Sequence, residues 1–271
     1  LARVSNTRGE TVVRVIEGDG LQRGRAWLPM HWGSQFMNTP GANALASDAT
    51  DPWSKQPELK HAAVQIEKLD LPYPLAVIRR CANQDEALAL LQEVRGLLSA
   101  YPYATVGLYG RTSPLVVFRA ALAEAQHDQE VAVVDAVFGL DRDNGAIVYA
   151  DARRKVTKKA VADDGRLVGV RLAGETLAQS WLKRAMAEDE LDANLIRFAL
   201  APSTKPPVSV VPRNIVCKCA DVSDAQIHKM LAQGAGLPQL QDALKCGTFC
   251  GSCVPEIRKM VAEYAQQEAA A

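Results

Sequence analysis

The spacing of hydrophobic and polar positions changes along the chain. Up to about residue 76 the apolar positions are short and roughly alternating, the period of β-strands. Thr11–Ile16 alternates, Ala26–Met30 is a short apolar run, and Ala62–Leu69 carries Val64, Ile66 and, less cleanly, Lys68 on one side. Arg3–Asn6 running into Arg8–Val15 reads as a strand, a tight turn and a second strand. The chain opens on Leu1 inside what reads as a β domain, so it is expected to be the C-terminal part of something longer. Between the strands lies a loop from His31 to Lys60 that holds two of the four tryptophans, Trp32 and Trp53. A loop of that length in a compact domain is usually functional or disordered. With Phe36, Pro52 and Pro57 it is too apolar and stiff for disorder, and it is read as an ordered binding loop.

From about Pro74 the pattern becomes that of mixed helix and strand. Leu75–Ile78 predicts a strand. Asn83 and Glu86 open a helix whose Leu88, Leu91, Val94, Leu97 and Leu98 share a face. Tyr103–Tyr109 predicts a buried strand, Thr112-Ser113-Pro114 the start of a helix, and Val131–Phe138 another strand. Ile147–Asp151, Val156–Ala162 and Arg166–Leu172 read as strands, the last two joined by an Asp163-Asp164-Gly165 hairpin. Helices are expected at Leu177–Ala187 and Ala193–Leu200, then a semi-rigid proline-rich linker, Ala201–Pro207. Beyond it Ser223, with Gln226 three residues on, is a capping-box start for a helix to about Leu231. Gly234 and Gly236 stop that helix, and Leu237–Lys245 is a second one. Val254, Ile257, Met260, Val261 and Tyr264 mark a third.

At 271 residues the chain should form two or three compact units. Its 48% hydrophobic and 23% charged content are those of a globular protein. Lys+Arg and Asp+Glu both number 31, which gives no electrostatic case for nucleic acid or an anionic membrane. No apolar run approaches a bilayer's thickness, and residues 1–6 lack a signal-peptide core. Neither a G-x-G-x-x-G turn nor a P-loop is present. The basic run Ala152–Lys159 is first a solvated hairpin face, and second a docking patch for an acidic electron donor.

The chemistry concentrates near the C-terminus. Four of the six cysteines form two tight pairs, Cys217-Lys218-Cys219 and Cys250-Gly251-Ser252-Cys253, thirty residues apart. A C-x-C pair closes its own disulfide only with strain. Two such thiolates can share a metal centre. Structural zinc usually spaces each pair by two to four residues, whereas iron–sulfur clusters accept more varied spacing, so the pattern favours a cluster and leaves zinc as its competitor. The third helix starts almost on Cys253, aiming its positive end at an anionic group. Cysteines spaced for a cluster fit a reducing compartment, and a cytoplasmic location is expected.

Val216-Cys217-Lys218-Cys219 and Cys246-Gly247-Thr248-Phe249-Cys250-Gly251-Ser252-Cys253-Val254 resemble the bacterioferritin-associated ferredoxin type of [2Fe-2S] domain over about Asn214–Ala265. That resemblance implies Cys217, Cys219, Cys250 and Cys253 as ligands. Cys246 has metal-compatible spacing to Cys250 and is taken as a bystander.

His31-Trp32-Gly33, Asn43-Ala44-Leu45 and Asp51-Pro52-Trp53-Ser54-Lys55-Gln56-Pro57-Glu58-Leu59-Lys60, with the Arg8-Gly9 turn, resemble the last domain of the molybdopterin-guanine-dinucleotide oxidoreductases, in the pattern of nitrate reductases. That resemblance covers about residues 1–68 and implies a double-psi barrel that caps a pterin cofactor. Asn43 and Lys60 match the family's pterin contacts, and Arg8 and His31 are counted with them. An amide both donates to and accepts from a ring edge, and a lysine brings charge and three donors. Leu45-Ala46 replaces the family's frequent Leu-Thr, which removes one hydroxyl. Val148–Trp181 resembles the small domain before the ferredoxin-like module of NADH-linked nitrite reductases.

The expected architecture is therefore multidomain: a β-rich double-psi barrel part over 1–73 (incomplete at its start), a small α/β domain over 74–201, a linker over 202–213, and a small helical [2Fe-2S] domain over 214–271. Together the resemblances imply the C-terminus of a bacterial assimilatory nitrate reductase that reduces nitrate to nitrite at molybdenum. Its [4Fe-4S] cluster would lie in a missing N-terminal part, and its electrons would come from a flavoprotein or ferredoxin. No catalytic residue is expected within these residues, and alone they should be inactive. The alternatives are a non-enzymatic electron-transfer or cluster-binding module, and a related enzyme with another substrate such as formate.

Overall fold

The computed structural model describes residues 1–18, 20–58, 60–111, 113–188, 196, 198–206 and 214–269. The chain divides into two compact units, Leu1–Val208 and Ser209–Ala271. Among the described residues no helix is long and apolar enough to cross a membrane.

The first unit opens with β1 (Ala2–Ser5), β2 (Glu10–Val13) and β3 (Gln65–Lys68), an antiparallel sheet in the order β2-β1-β3. Val4 faces Thr11 on one side and Ile66 on the other. A second, six-stranded sheet follows. It is built from β4 (Tyr73–Arg80), β5 (Tyr103–Tyr109), β6 (Leu115–Leu122), β7 (Ala146–Asp151), β8 (Val156–Asp163) and β9 (Arg166–Ala173). Their order is β5-β6-β4-β9-β8-β7, and every pairing is antiparallel.

Leu75, Ala76, Val77 and Ile78 of β4 are all buried. Successive strand side chains point to opposite faces, so both faces of the sheet are covered. On one face α1 (Gln84–Arg95) and α2 (Asp128–Val137) supply Ala87, Leu91, Val94 and Val134 to a core with Leu75, Val77, Val116 and Phe118. The Phe118 ring lies 5.4 Å from Tyr101 and 6.0 Å from Phe138. α3 (Gln179–Glu188) lies against β4 and β6 and buries Trp181, Leu182, Ala185 and Met186. Two ion pairs are enclosed as well: Arg171 Nε to Asp135 at 2.7 Å, and Lys158 with Glu175.

α1 begins where its sequence signal places it. Asn83 Oδ1 accepts from the Glu86 N–H at 2.9 Å, and the Glu86 carboxylate accepts from the Ala82 N–H at 2.7 Å. Two neighbouring expectations are overturned. The stretch after Pro114 is strand β6 rather than a helix, with Leu115–Phe118 buried residue after residue between two strands. The run Val131–Phe138 forms the end of helix α2 and its C-cap rather than a strand. His127 starts α2, its N–H donating to the Glu130 carboxylate at 2.8 Å. A short apolar run has no period that separates a covered strand from a covered helix. Ala26–Met30 forms no strand; it is irregular, with Trp27 exposed. The helix expected over Ala193–Leu200 falls largely outside the described residues, as does the linker beyond residue 206.

The second unit holds β10 (Ile215–Cys217) and β11 (Val222–Ser223), paired antiparallel, then α4 (Asp224–Leu231), α5 (Leu237–Leu244) and α6 (Val254–Ala269). Ser223 Oγ accepts from the Gln226 N–H at 3.3 Å, and Gln226 Oε1 accepts from the Ser223 N–H at 3.0 Å. This is the reciprocal cap its sequence carries. Val216, Val222, Ile227, Leu231, Leu240 and Ile257 form the core, and Cys217, Cys246 and Cys253 are buried with them.

Candidate functional site

The cysteines are set by two turns. β10 ends on Cys217, and the chain reverses through Cys219 and Asp221, whose φ is 53°. Cys250–Cys253 forms the second turn, closed by the Val254 N–H donating to Gly251 O at 3.1 Å as α6 begins. The four sulfurs pair across these turns rather than within each motif. Cys219 Sγ lies 3.2 Å from Cys250 Sγ, and Cys217 is hydrogen-bonded to Cys253. Cys217 and Cys253 are only 2% and 5% exposed, whereas Cys219 is half-buried and Cys250 exposed.

Backbone donors converge on these sulfurs. Burial pushes the Cys217 thiol up, but the N–H groups of Gly247, Ala220 and Cys219, with Cys253, more than offset it, and its pKa falls. The Ser252 hydroxyl, 3.1 Å from Cys250 Sγ, and the Ser252 N–H bring Cys250 down to about 7. Their partners move the other way: burial and Cys217 raise Cys253 to about 11, and the bond to Cys250 raises Cys219. One sulfur of each pair is pushed down and the other up, as expected where two sulfurs share a hydrogen bond.

Among the described residues no group of three or more Cys, His, Asp or Glu side chains closes around a single ion. A zinc tetrahedron would need all four sulfurs about 2.3 Å from one point. Two sulfur pairs with N–H donors directed at them, beside the start of α6, supply thiolates and dipoles of the kind that would hold the negative charge of a [2Fe-2S] cluster. Cys246 is fully buried and lies in the same core as Cys217 and Cys253. Its Sγ lies 3.5 Å from Leu240 O, and burial, helped by the nearby Cys217, raises its pKa. Lys218 is exposed, and Lys245 lies 3.4 Å from Asp242.

In the first unit Arg8 and the backbone at Trp32 meet at one short turn, which carries Asn43. Gly41–Leu45 is a 3-10 helix that carries an exposed Asn43. Arg8 holds it in place, donating from Nε and Nη2 to Leu45 O at 3.0 and 2.8 Å. The His31–Gly33 backbone lies against the same turn, since a Cβ on Gly41 (φ +69°) would sit 1.9 Å from Trp32 O. His31 and Lys60 are exposed, and Lys60 follows a small hairpin in which Thr50 bridges Pro57.

Sequence reasoning missed the residues that tie this arrangement together. The Asn6 amide nitrogen lies 2.9 Å from Leu45 O and 3.5 Å from Ala63 O, and its oxygen accepts from the Arg8 and Gly9 N–H groups. It thereby joins the Arg8 turn, the Asn43 turn and the chain just after Lys60. Asn38 fastens the loop to β5, donating to Tyr101 O at 2.7 Å and accepting from the Ala104 N–H at 3.1 Å. An Asn three residues before a Gly is a turn signal for Asn6; nothing local marks Asn38.

Residues 1–63 match the protein family described as molydopterin dinucleotide binding domain, and residues 215–263 match the BFD-like [2Fe-2S] binding domain. The chain thus carries a molybdopterin dinucleotide-binding domain and a [2Fe-2S]-binding domain. A nitrate reductase of Klebsiella oxytoca is 28% identical over 97% of this chain. A nitrate reductase of Synechocystis sp. is 37% identical over 22% of it. The chain spans 28% of the Klebsiella protein and 8% of the Synechocystis protein. No solved structure gives a significant match.

Proposed function

We propose that these residues are the C-terminal portion of a cytoplasmic, molybdenum-dependent assimilatory nitrate reductase. The reaction converts nitrate, two protons and two electrons to nitrite and water. The observation that carries this reading is the alignment to a nitrate reductase across 97% of the chain, through both cofactor-binding domains. Bound molybdenum supplies oxygen-atom transfer in a two-electron step, and a [2Fe-2S] cluster supplies single electrons.

Cys217, Cys219, Cys250 and Cys253 hold the cluster, and the N–H groups of Gly247, Ala220 and Ser252 stabilise its charge. The exposed Cys250 edge faces a flavoprotein or ferredoxin donor. In the first unit, the double-psi barrel part, Asn43 and Lys60 bind the pterin and His31 lies beside them, while Arg8 acts by fixing the Asn43 turn. A second reading, a pure electron-transfer module, draws on the separate core of the second unit.

Molybdenum analysis of the full-length protein separates the two, since a pure electron-transfer module would hold none, and Lys60→Ala then tests the pterin contact. Loss of one charged donor is worth about 1.5–3 kcal/mol, a roughly ten- to hundredfold loss of affinity. Molybdenum content and nitrate reduction should fall while the cluster spectrum stays. Full molybdenum and full activity would leave Lys60 an ordinary surface lysine.

A further inference from the structure

The six-stranded sheet ends on β5 at one side and on β7 at the other. The β5 edge is covered: the Val106 N–H donates to Phe36 O at 2.7 Å, the Asn38 N–H donates to Ala104 O at 3.1 Å, and Met37 bridges Thr105. Among the described residues no strand or bridge pairs with β7 on its outer side. Just before β7 the Ala162 N–H donates to Gly145 O at 2.9 Å, which makes these two a hydrogen-bonded pair. Alternation from there bonds Ile147 and Tyr149 inward to β8. It leaves the N–H and C=O groups of Val148 and Ala150 along the open edge, while the Ala146 N–H is tied back to Asp143 O.

A bare edge recruits another strand unless something deters it, and proline and lysine are common deterrents. β7, Ala-Ile-Val-Tyr-Ala-Asp, has neither. Its apolar side chains are open to solvent, with Ile147 38%, Val148 64% and Tyr149 44% exposed. The two ends of the strand differ in sign. Asp141 and Asp143 precede it, and Arg142 between them is paired with Asp163 at 3.6 Å. Arg153, Arg154 and Lys155 follow it, all exposed, whereas Lys158 and Lys159 of the same basic run are buried.

A strand that is acidic before and basic after is complementary to itself when turned end for end. We infer that β7 pairs antiparallel with β7 of a second copy of this chain, about a two-fold axis at Val148. Val148 then meets its own copy, and Ala146 lies opposite Ala150, so the outward backbone groups at the centre bond one another. Ile147 of each copy lies opposite Tyr149 of the other, an apolar cross-strand pair. The same register sets Asp143 of each copy against Arg153 of the other. An unrelated acidic partner would suit the Arg153–Lys155 end and be repelled at Asp141 and Asp143. Nothing in the proposed nitrate chemistry uses this edge.

The test is sedimentation of the full-length protein at micromolar concentration, where a dimer is expected. Val148→Lys puts like charges on the axis and should raise the dimer dissociation constant about tenfold or more. Val148 is already exposed, so the melting temperature of the dilute, monomeric variant should match that of the dilute parent. Asp143→Arg should also weaken the dimer, and adding Arg153→Asp to it should restore the dimer, because the exchange keeps the two ends complementary. Were the edge covered by a different protein or by another part of its own chain, the exchange would restore nothing. A monomeric full-length protein, a dimer indifferent to Val148→Lys or Asp143→Arg, or an exchange that fails to restore the dimer overturns the proposal.

Discussion

Gly247 offers a sharp perturbation of the cysteine turns. Its φ is +75°, and a Cβ there would lie 2.7 Å from Val254 Cγ2 and 3.4 Å from Gln241 Nε2. Its N–H also points at Cys217. Gly247→Ala therefore meets two costs. The left-handed backbone costs a residue with a Cβ about 1–2 kcal/mol. Crowding the first residue of α6 costs about 1–3 kcal/mol more. The total, about 2–5 kcal/mol, rivals the stability a unit this small can reach from its core. Gly251 is the internal control: its φ is also +75°, but a Cβ there meets nothing within 4 Å. Gly251→Ala should lose only the backbone term, about 1–2 kcal/mol. The assay is cluster absorbance per chain together with the urea midpoint of the second unit. Gly247→Ala should lose most of its colour and unfold early, while Gly251→Ala keeps most of both. Equal behaviour of the two variants would refute the packing argument.

Two further outcomes follow from particular contacts. Cys246→Ser should keep the cluster spectrum and Cys250→Ser should lose it, because only Cys250 sits in a sulfur pair; bleaching by Cys246→Ser would put Cys246 among the ligands. Asp135→Ala should destabilise the first unit by about 3–5 kcal/mol, since it strands the buried Arg171 guanidinium. Calorimetry of that unit's transition checks this, and a change under 1 kcal/mol would mean that water or Thr157 compensates.

The signals that read well in the sequence were local ones. Asn83 with Glu86, and Ser223 with Gln226, mark helix starts because a cap is a matter of three or four neighbouring residues. The β8–β9 hairpin is legible in Asp164-Gly165 for the same reason, since both residues adopt positive φ. What failed was set by distant partners. Leu115–Leu122 is a strand because β4 and β5 flank it, and no period in eight mostly apolar residues shows that. The sheet order β5-β6-β4-β9-β8-β7 arises from pairings as far apart as Leu75 with Ala173. At the candidate site, spacing brought out the four cysteines but not their pairing. Cys217 meets Cys253 and Cys219 meets Cys250 because the two turns run side by side. Asn6 and Asn38 escaped notice because an amide becomes an organiser only through the carbonyls that folding brings to it.

The most direct test of the central claim follows electrons from the cysteine unit to nitrate. The full-length protein is reduced without air until its [2Fe-2S] absorbance is bleached, the excess reductant is removed, and nitrate is added. If the cysteine unit feeds a nitrate-reducing molybdenum site, the absorbance returns and nitrite appears, one nitrite for every two electrons given up. A cluster that stays bleached with nitrate, or a preparation in which formate rather than nitrate changes its redox state, would contradict the account.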